Sequence, residues 1–113
     1  MVYTVTVLYP NEPDAKYDFE YYFSHHLPLV DRHWKKYGLQ GWNVVKYGPG
    51  VTGHQVPYFF GCVLFYEDDH AAKQAFGGPE AAEILDDIEK FSNKQPLFLY
   101  GERIKTGGSV GRG

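Results

Sequence analysis

The chain has 113 residues, 43% hydrophobic and 22% charged, with a net charge of −3. That length supports one hydrophobic core and not two, and an acidic balance without a Lys/Arg cluster argues against a nucleic-acid partner. No apolar run approaches the roughly 18 residues of a membrane span, and a lone Cys62 rules out a disulfide framework or a multi-cysteine metal site.

The chain opens directly on strand-like residues, without a basic leader and small-residue cleavage site, so a cytoplasmic location is the expectation. Val2 to Tyr9 alternates as a first strand, with Tyr3, Val5, Val7 and Tyr9 on one side and Thr4, Thr6 and Leu8 on the other. Pro10 to Asp14 is breaker chemistry and reads as a loop. Asp18 then stands where a helix N-cap belongs, and Gly38 where the helix closes. At about 100° per residue, Phe19, Phe23, His26, Val30, His33, Trp34 and Tyr37 share the inward face of that helix. Tyr21, Ser24, Pro28, Asp31, Arg32 and Lys35 take the opposite face. Pro28 deprives the Ser24 carbonyl of its partner, which predicts a kink or local break there.

Trp42 to Tyr47 reads as a second strand of mixed polarity, followed by a Gly/Pro-rich loop over 49–57. Tyr58 to Tyr66 is apolar without alternation, as expected of a central strand covered on both faces. Asp68 and Asp69 are N-cap candidates for a short helix through Phe76. Gly77 and Gly78 interrupt that helix, and Pro79 starts another carrying Ala82, Ile84, Leu85 and Ile88. Asn93 to Gln95 is a turn and Pro96 to Glu102 a final strand. Residues 1–105 then form the folded domain, and 106–113 a Gly-rich tail expected to be mobile.

The order β-α-β-β-α-β predicts an α+β domain of the ferredoxin-like kind, an antiparallel sheet with helices on one face. Apolar residues on both faces of the first and third strands leave the other sheet face uncovered in a monomer. A homodimer closing sheet against sheet, a dimeric α+β barrel, is the economical solution.

Two blocks of residues carry a family resemblance. Val5-Thr6-Val7-Leu8-Tyr9-Pro10-Asn11 is followed by Phe19-x-x-Tyr22-Phe23-x-x-His26-Leu27-Pro28-Leu29-Val30. Downstream stand Ala75-Phe76-Gly77, Ala81-Ala82-Glu83-Ile84, Asp87-Ile88 and Asn93-x-x-Pro96. Together these resemble the EthD (ethyl tert-butyl ether degradation) family of the dimeric α+β barrel superfamily. The resemblance implies the same fold and dimerisation. It implies function loosely, since that superfamily includes lactone isomerases, polyketide cyclases, dehydratases, cofactor-independent monooxygenases and haem enzymes.

Among candidate site residues His26 leads. On an apolar helix face, desolvation lowers a histidine's pKa and keeps it neutral, as a general base near pH 7 requires. The alternative is a core histidine held by a backbone carbonyl. Tyr22, one turn away, is the candidate donor to a substrate carbonyl. Phe19, Phe23, Val30, Tyr58 and His33 are the candidate substrate-binding residues. His33 stands two turns beyond His26, roughly 10 Å by helical rise, too far for the two to share one metal ion unaided. Cys62 reads as a small core residue, Asp86 and Asp87 as solvated charges, His54 as a loop residue, and Asn93 as bonding backbone in its turn.

There is no Walker loop, dinucleotide fingerprint, zinc motif or Gly-x-Ser-x-Gly elbow in the sequence. The expectation is therefore an enzyme without metal or cofactor. It would catalyse isomerisation, dehydration or cyclisation of a small apolar oxygenated compound of phenolic, polyketide-like or lactone type. A non-catalytic ligand-binding or accessory protein and a cofactor-free monooxygenase are the alternatives.

Overall fold

In the computed structural model, which describes residues 2–109, the alternation read in the first strand becomes the axis of a four-stranded sheet. Strand β1 (Tyr3–Pro10) buries Val5, Val7 and Tyr9, and leaves Thr4, Thr6 and Leu8 partly open on the other side. It lies between β3 (Tyr58–Tyr66) and β4 (Leu97–Glu102), with β2 (Leu39–Lys46) beyond β3, giving the order β2-β3-β1-β4. Every pairing is antiparallel, and Val7 stands opposite both Cys62 and Phe98. This is the ferredoxin-like α+β topology.

Helix α1 runs from 19 to 37 in four stretches: α-helical Phe19–Tyr21, a π-turn Tyr22–His26, α-helical Leu27–Trp34 and a 3₁₀ turn Lys35–Tyr37. Asp18 caps it by accepting from the Tyr21 N–H at 3.1 Å, and Gly38 closes it in the left-handed conformation. The second helical segment divides into α2 (Asp69–Gly77), capped by Asp68, and α3 (Ala81–Asp87), continued by a 3₁₀ turn over Ile88–Lys90. The break falls at the predicted glycines.

Pro28 has no N–H, and its ring crowds the carbonyl of Ser24. Both effects fall on the π-turn, where the Leu27 N–H reaches back to the Tyr22 carbonyl, five residues away. The turn therefore holds one more residue than an α-helical turn and shifts the phase of everything after it. The buried stripe runs through Tyr22, His26, Leu27, Val30 and Trp34, while Phe23, expected to face inward, is 55% exposed.

Two further differences concern the sheet. A bulge sets Tyr9 opposite Phe60 but Pro10 opposite Tyr58, leaving Phe59 without a partner on β1. Phe59 packs instead against Tyr17 and Phe19, with ring centroids 5.8 and 6.1 Å away. A proline, lacking the ladder N–H, fits such a bulge. Strand β3 is buried on the helix side only: Phe60, Cys62, Leu64 and Tyr66 are buried, whereas Val63 and Phe65 are half-buried. On the open side β4 presents Leu97 and Leu99, 45% and 50% exposed. Thr106 to Ser109 form no strand or helix and are exposed; residues 110–113 of the predicted tail lie outside the described residues.

Candidate active site

His26 ends the π-turn, where the widened backbone carries its ring into the layer between sheet and helices. It is 5% exposed, against the faces of Tyr22 and Phe91 at centroid distances of 5.7 and 4.7 Å. Its Nδ1 lies 2.9 Å from Oδ2 of Asp87 on α3. The other carboxylate oxygen, Oδ1, accepts from the Tyr21 hydroxyl at 2.6 Å, and the Lys90 ammonium stands 3.8 Å from it.

Burial lowers the pKa of His26, and the Asp87 carboxylate pulls the other way without overcoming it. The imidazole is therefore neutral at pH 7. For Asp87, burial raises the pKa, but the Tyr21 hydrogen bond and the His26 contact outweigh it and hold the carboxyl below its ordinary value. The Tyr21 phenol is pushed up to about 12, first by its bond to Asp87. Burial raises Tyr22 further still and lifts the Cys62 thiol to about 12, so Tyr22 is a donor and Cys62 is no ready nucleophile.

Asp87 corrects the sequence reading: expected as a solvated charge, it is only 8% exposed. The signal was present. Ala81, Ile84, Asp87, Ile88 and Phe91 recur at the three- and four-residue spacing of one helix face, and Asp87 lies in that stripe.

Beside His26 is a narrow apolar cavity lined by Val7, Tyr9, Tyr22, Val30, Trp34 and Cys62, among others. Its free volume is about 30 Å³, room for a water or two. The Trp34 Nε1–H is buried without a hydrogen-bond partner among the described residues. A second, open groove of about 570 Å³ runs between the start of α1 and the edge strand β2, lined by Phe19, Phe23, Trp42, Val44, Lys46 and Phe60. Phe60 divides the two spaces, stacked on Tyr9 at 4.4 Å and edge-on to Tyr22 at 5.3 Å.

The structure thus sets His26, Tyr22 and Val30 on the cavity and Phe19 and Phe23 on the groove, with the Phe23 ring still 5.6 Å from that of Tyr22. His33 lines neither space; its Nε2 is 3.1 Å from Oε1 of Glu83. Tyr58 also lines neither and sits half-buried opposite Pro10. Among the described residues no cluster of three or more His, Cys, Asp or Glu side chains is placed to hold a metal ion, and none of the helices is long and apolar enough to cross a membrane.

No protein-family model and no curated protein matches the sequence. Solved structures do match. An EthD-like protein from Ralstonia eutropha JMP134 is 22% identical, with a TM-score of 0.83 and 96% of each chain covered. An ethyl tert-butyl ether degradation (EthD) family protein from Bacillus halodurans C-125 is 24% identical, with a TM-score of 0.73, covering 92% of this chain and 100% of that one. A dimeric ferredoxin-like protein of unknown function from Jannaschia sp. CCS1 is 13% identical, with a TM-score of 0.61, covering 90% and 98%. The chain therefore has the ferredoxin-like α+β fold of these proteins. Within that class, the structures it resembles include EthD-like proteins, as the two sequence blocks implied.

Proposed function

We propose that this chain is a homodimeric, cytoplasmic enzyme of EthD type that works without a metal or organic cofactor on a small, mainly apolar carbonyl compound. The observation that carries the reading is the buried imidazole of His26 on the wall of an apolar cavity, stacked on the Tyr22 ring, where burial lowers its pKa. His26 takes a proton from the carbon beside the substrate carbonyl, and the C–H electron pair moves to the carbonyl oxygen as an enolate. The Tyr22 hydroxyl donates a hydrogen bond to that oxygen. Returning the proton to a different atom completes an isomerisation; giving it to a departing hydroxide completes a dehydration. Phenolic, polyketide-like and lactone compounds match the apolar character of the lining, with Val30 on the cavity wall and Phe19 and Phe23 along the adjoining groove.

The dimer rests on the open sheet face, where Leu97 and Leu99 lie exposed beside Leu8 and Thr6, their partners on β1. The dimeric description of the Jannaschia protein supports it.

A second reading has its own support. The free volume beside His26 is small for a phenolic ligand, and the network of Tyr21, Asp87 and His26 ties α1 to α3. On that reading the protein is a ligand-binding or accessory protein and His26 a structural residue.

A thermal-shift screen of wild type and His26→Ala against phenolics, lactones and short polyketide mimics separates the two. A ligand at 100 times its dissociation constant stabilises the native state by about 2.7 kcal/mol. The proton-transfer reading expects hits with wild type that vanish in a folded His26→Ala protein, and turnover of those compounds. Equal hits with both proteins, or binding with no conversion, favour the accessory role.

A further inference from the structure

The carboxylate behind His26 has more donors than a structural cross-link needs. The Tyr21 hydroxyl donates to Oδ1 at 2.6 Å, the His26 Nδ1 approaches Oδ2 at 2.9 Å, and the Lys90 ammonium stands 3.8 Å from Oδ1. A carboxyl that accepts from a phenol and stands beside an ammonium is held as the acceptor-only carboxylate. Facing it, Nδ1 of His26 has to carry a proton, because two acceptors cannot share a 2.9 Å contact. In a neutral imidazole the lone pair then belongs to Nε2. His26 lines the apolar cavity, and its bond to Asp87 is made through Nδ1.

We propose that Asp87, braced by Tyr21, is a positioning residue that fixes the His26 proton on Nδ1 and presents Nε2 as the atom that takes the substrate proton. Asp87 does not itself touch substrate. Its work is to hold one tautomer and orientation, and to stand beside the imidazolium once the proton has moved from carbon to Nε2. The ring is 5% exposed, so that cation would otherwise be stranded in low dielectric. The other titratable groups around the pair are Tyr22 on α1, Tyr9 on β1 and Cys62 on β3, all uncharged at pH 7, and Lys90 beyond α3. His25 stacks on the outer side of Tyr21 at 4.8 Å. Lys90 is therefore the one cation that faces the carboxylate closely among the described residues.

The inference rests on the proton-transfer reading, but its test reads a nitrogen and not turnover, so the two fail separately. The full chain, labelled with ¹⁵N-histidine, gives five imidazole spin systems; His26 is assigned by its absence in His26→Gln. Long-range ¹H–¹⁵N spectra at pH 7.5 are expected to show His26 as the Nδ1–H tautomer. An Nε2–H tautomer in wild type overturns the proposal without any variant. Asp87→Ala is expected to pass His26 to the Nε2–H form and lower its titration midpoint. Asp87→Asn, close to isosteric, keeps the fold and is expected to lower the midpoint as well, because the charge is gone. Tyr21→Phe is expected to raise the midpoint, since a carboxylate relieved of one donor attracts the imidazolium more strongly. A midpoint that stays put in Tyr21→Phe overturns Tyr21's part, and unchanged tautomer and midpoint in both Asp87 variants overturn the whole.

Discussion

Acid should destabilise this fold through one identifiable proton. In the native state burial holds the pKa of His26 below its ordinary value of 6.5, while the unfolded chain titrates near 6.5. Above that pH neither state binds the proton, and stability does not depend on this group. As the pH falls through 6.5, the unfolded state takes up a proton that the native state refuses, so stability drops. The slope is at most one proton, about 1.4 kcal/mol per pH unit, and levels off below the native pKa. Asp87 acts further down: with a depressed native pKa, its stabilisation is intact above about pH 4 and is lost as the pH falls through the native value. Urea unfolding followed by circular dichroism at pH 7.5, 6.5 and 5.5, at fixed ionic strength and protein concentration, gives the wild-type curve. His26→Gln, which cannot titrate at this position, gives the baseline against which the contributions of other groups cancel. The wild-type minus variant difference should change little between 7.5 and 6.5 and fall more steeply below that. A difference that rises in acid would mean that the ion pair with Asp87 outweighs burial. The neutral base on which the mechanism depends would then be wrong.

The helix closure and the sheet face give two simpler predictions. Gly38→Ala should cost about 1–2 kcal/mol in urea unfolding, because Gly38 holds φ at 101° and an added Cβ lies 3.1 Å from that of Ala71; unchanged stability would show that the turn re-forms in another conformation. Leu99→Glu, at a half-exposed position on the open sheet face, should convert the proposed sheet-to-sheet dimer to a monomer in sedimentation equilibrium with the circular dichroism spectrum unchanged. A wild type that is already monomeric refutes the sheet-to-sheet arrangement.

The parts of the fold legible in the sequence were those fixed locally. Alternation in β1, the Asp18 cap, the Gly38 closure and the break at Gly77 and Gly78 each depend on a few adjacent residues. All stand as read. Strand β3 shows the limit of composition. Its unbroken apolar run signals two faces that avoid water, but in the single chain only one of them is covered by helices. Asn93 shows the limit of locality. It bonds backbone as expected, yet its partners are the Lys16 N–H at 2.8 Å and the Asp14 carbonyl at 2.9 Å, in a loop far away along the chain. Nothing in the turn itself identifies them.

The candidate site was half legible for a single reason, the π-turn. Periodicity at 100° per residue merges Phe19, Phe23, His26 and Val30 into one stripe. The structure splits them where the extra residue enters, so that the first pair lines the groove and the second the cavity. The same insertion explains why Tyr21 looked like an outward residue. In an unbroken α-helix Tyr21 and His26, five positions apart, would point about 140° away from each other. In the π-turn, positions five apart come into line, as the bond from the Leu27 N–H to the Tyr22 carbonyl shows. Tyr21 and His26 can then reach the two oxygens of one carboxylate. Pro28 marks the place in the sequence, but a proline announces only that the regular helix fails. Which residues the failure brings together depends on Asp87, supplied by a helix that packs on it from the other end of the chain. The widened turn that spoils the periodicity is thus also the feature that brings Tyr21 and His26 to one carboxylate.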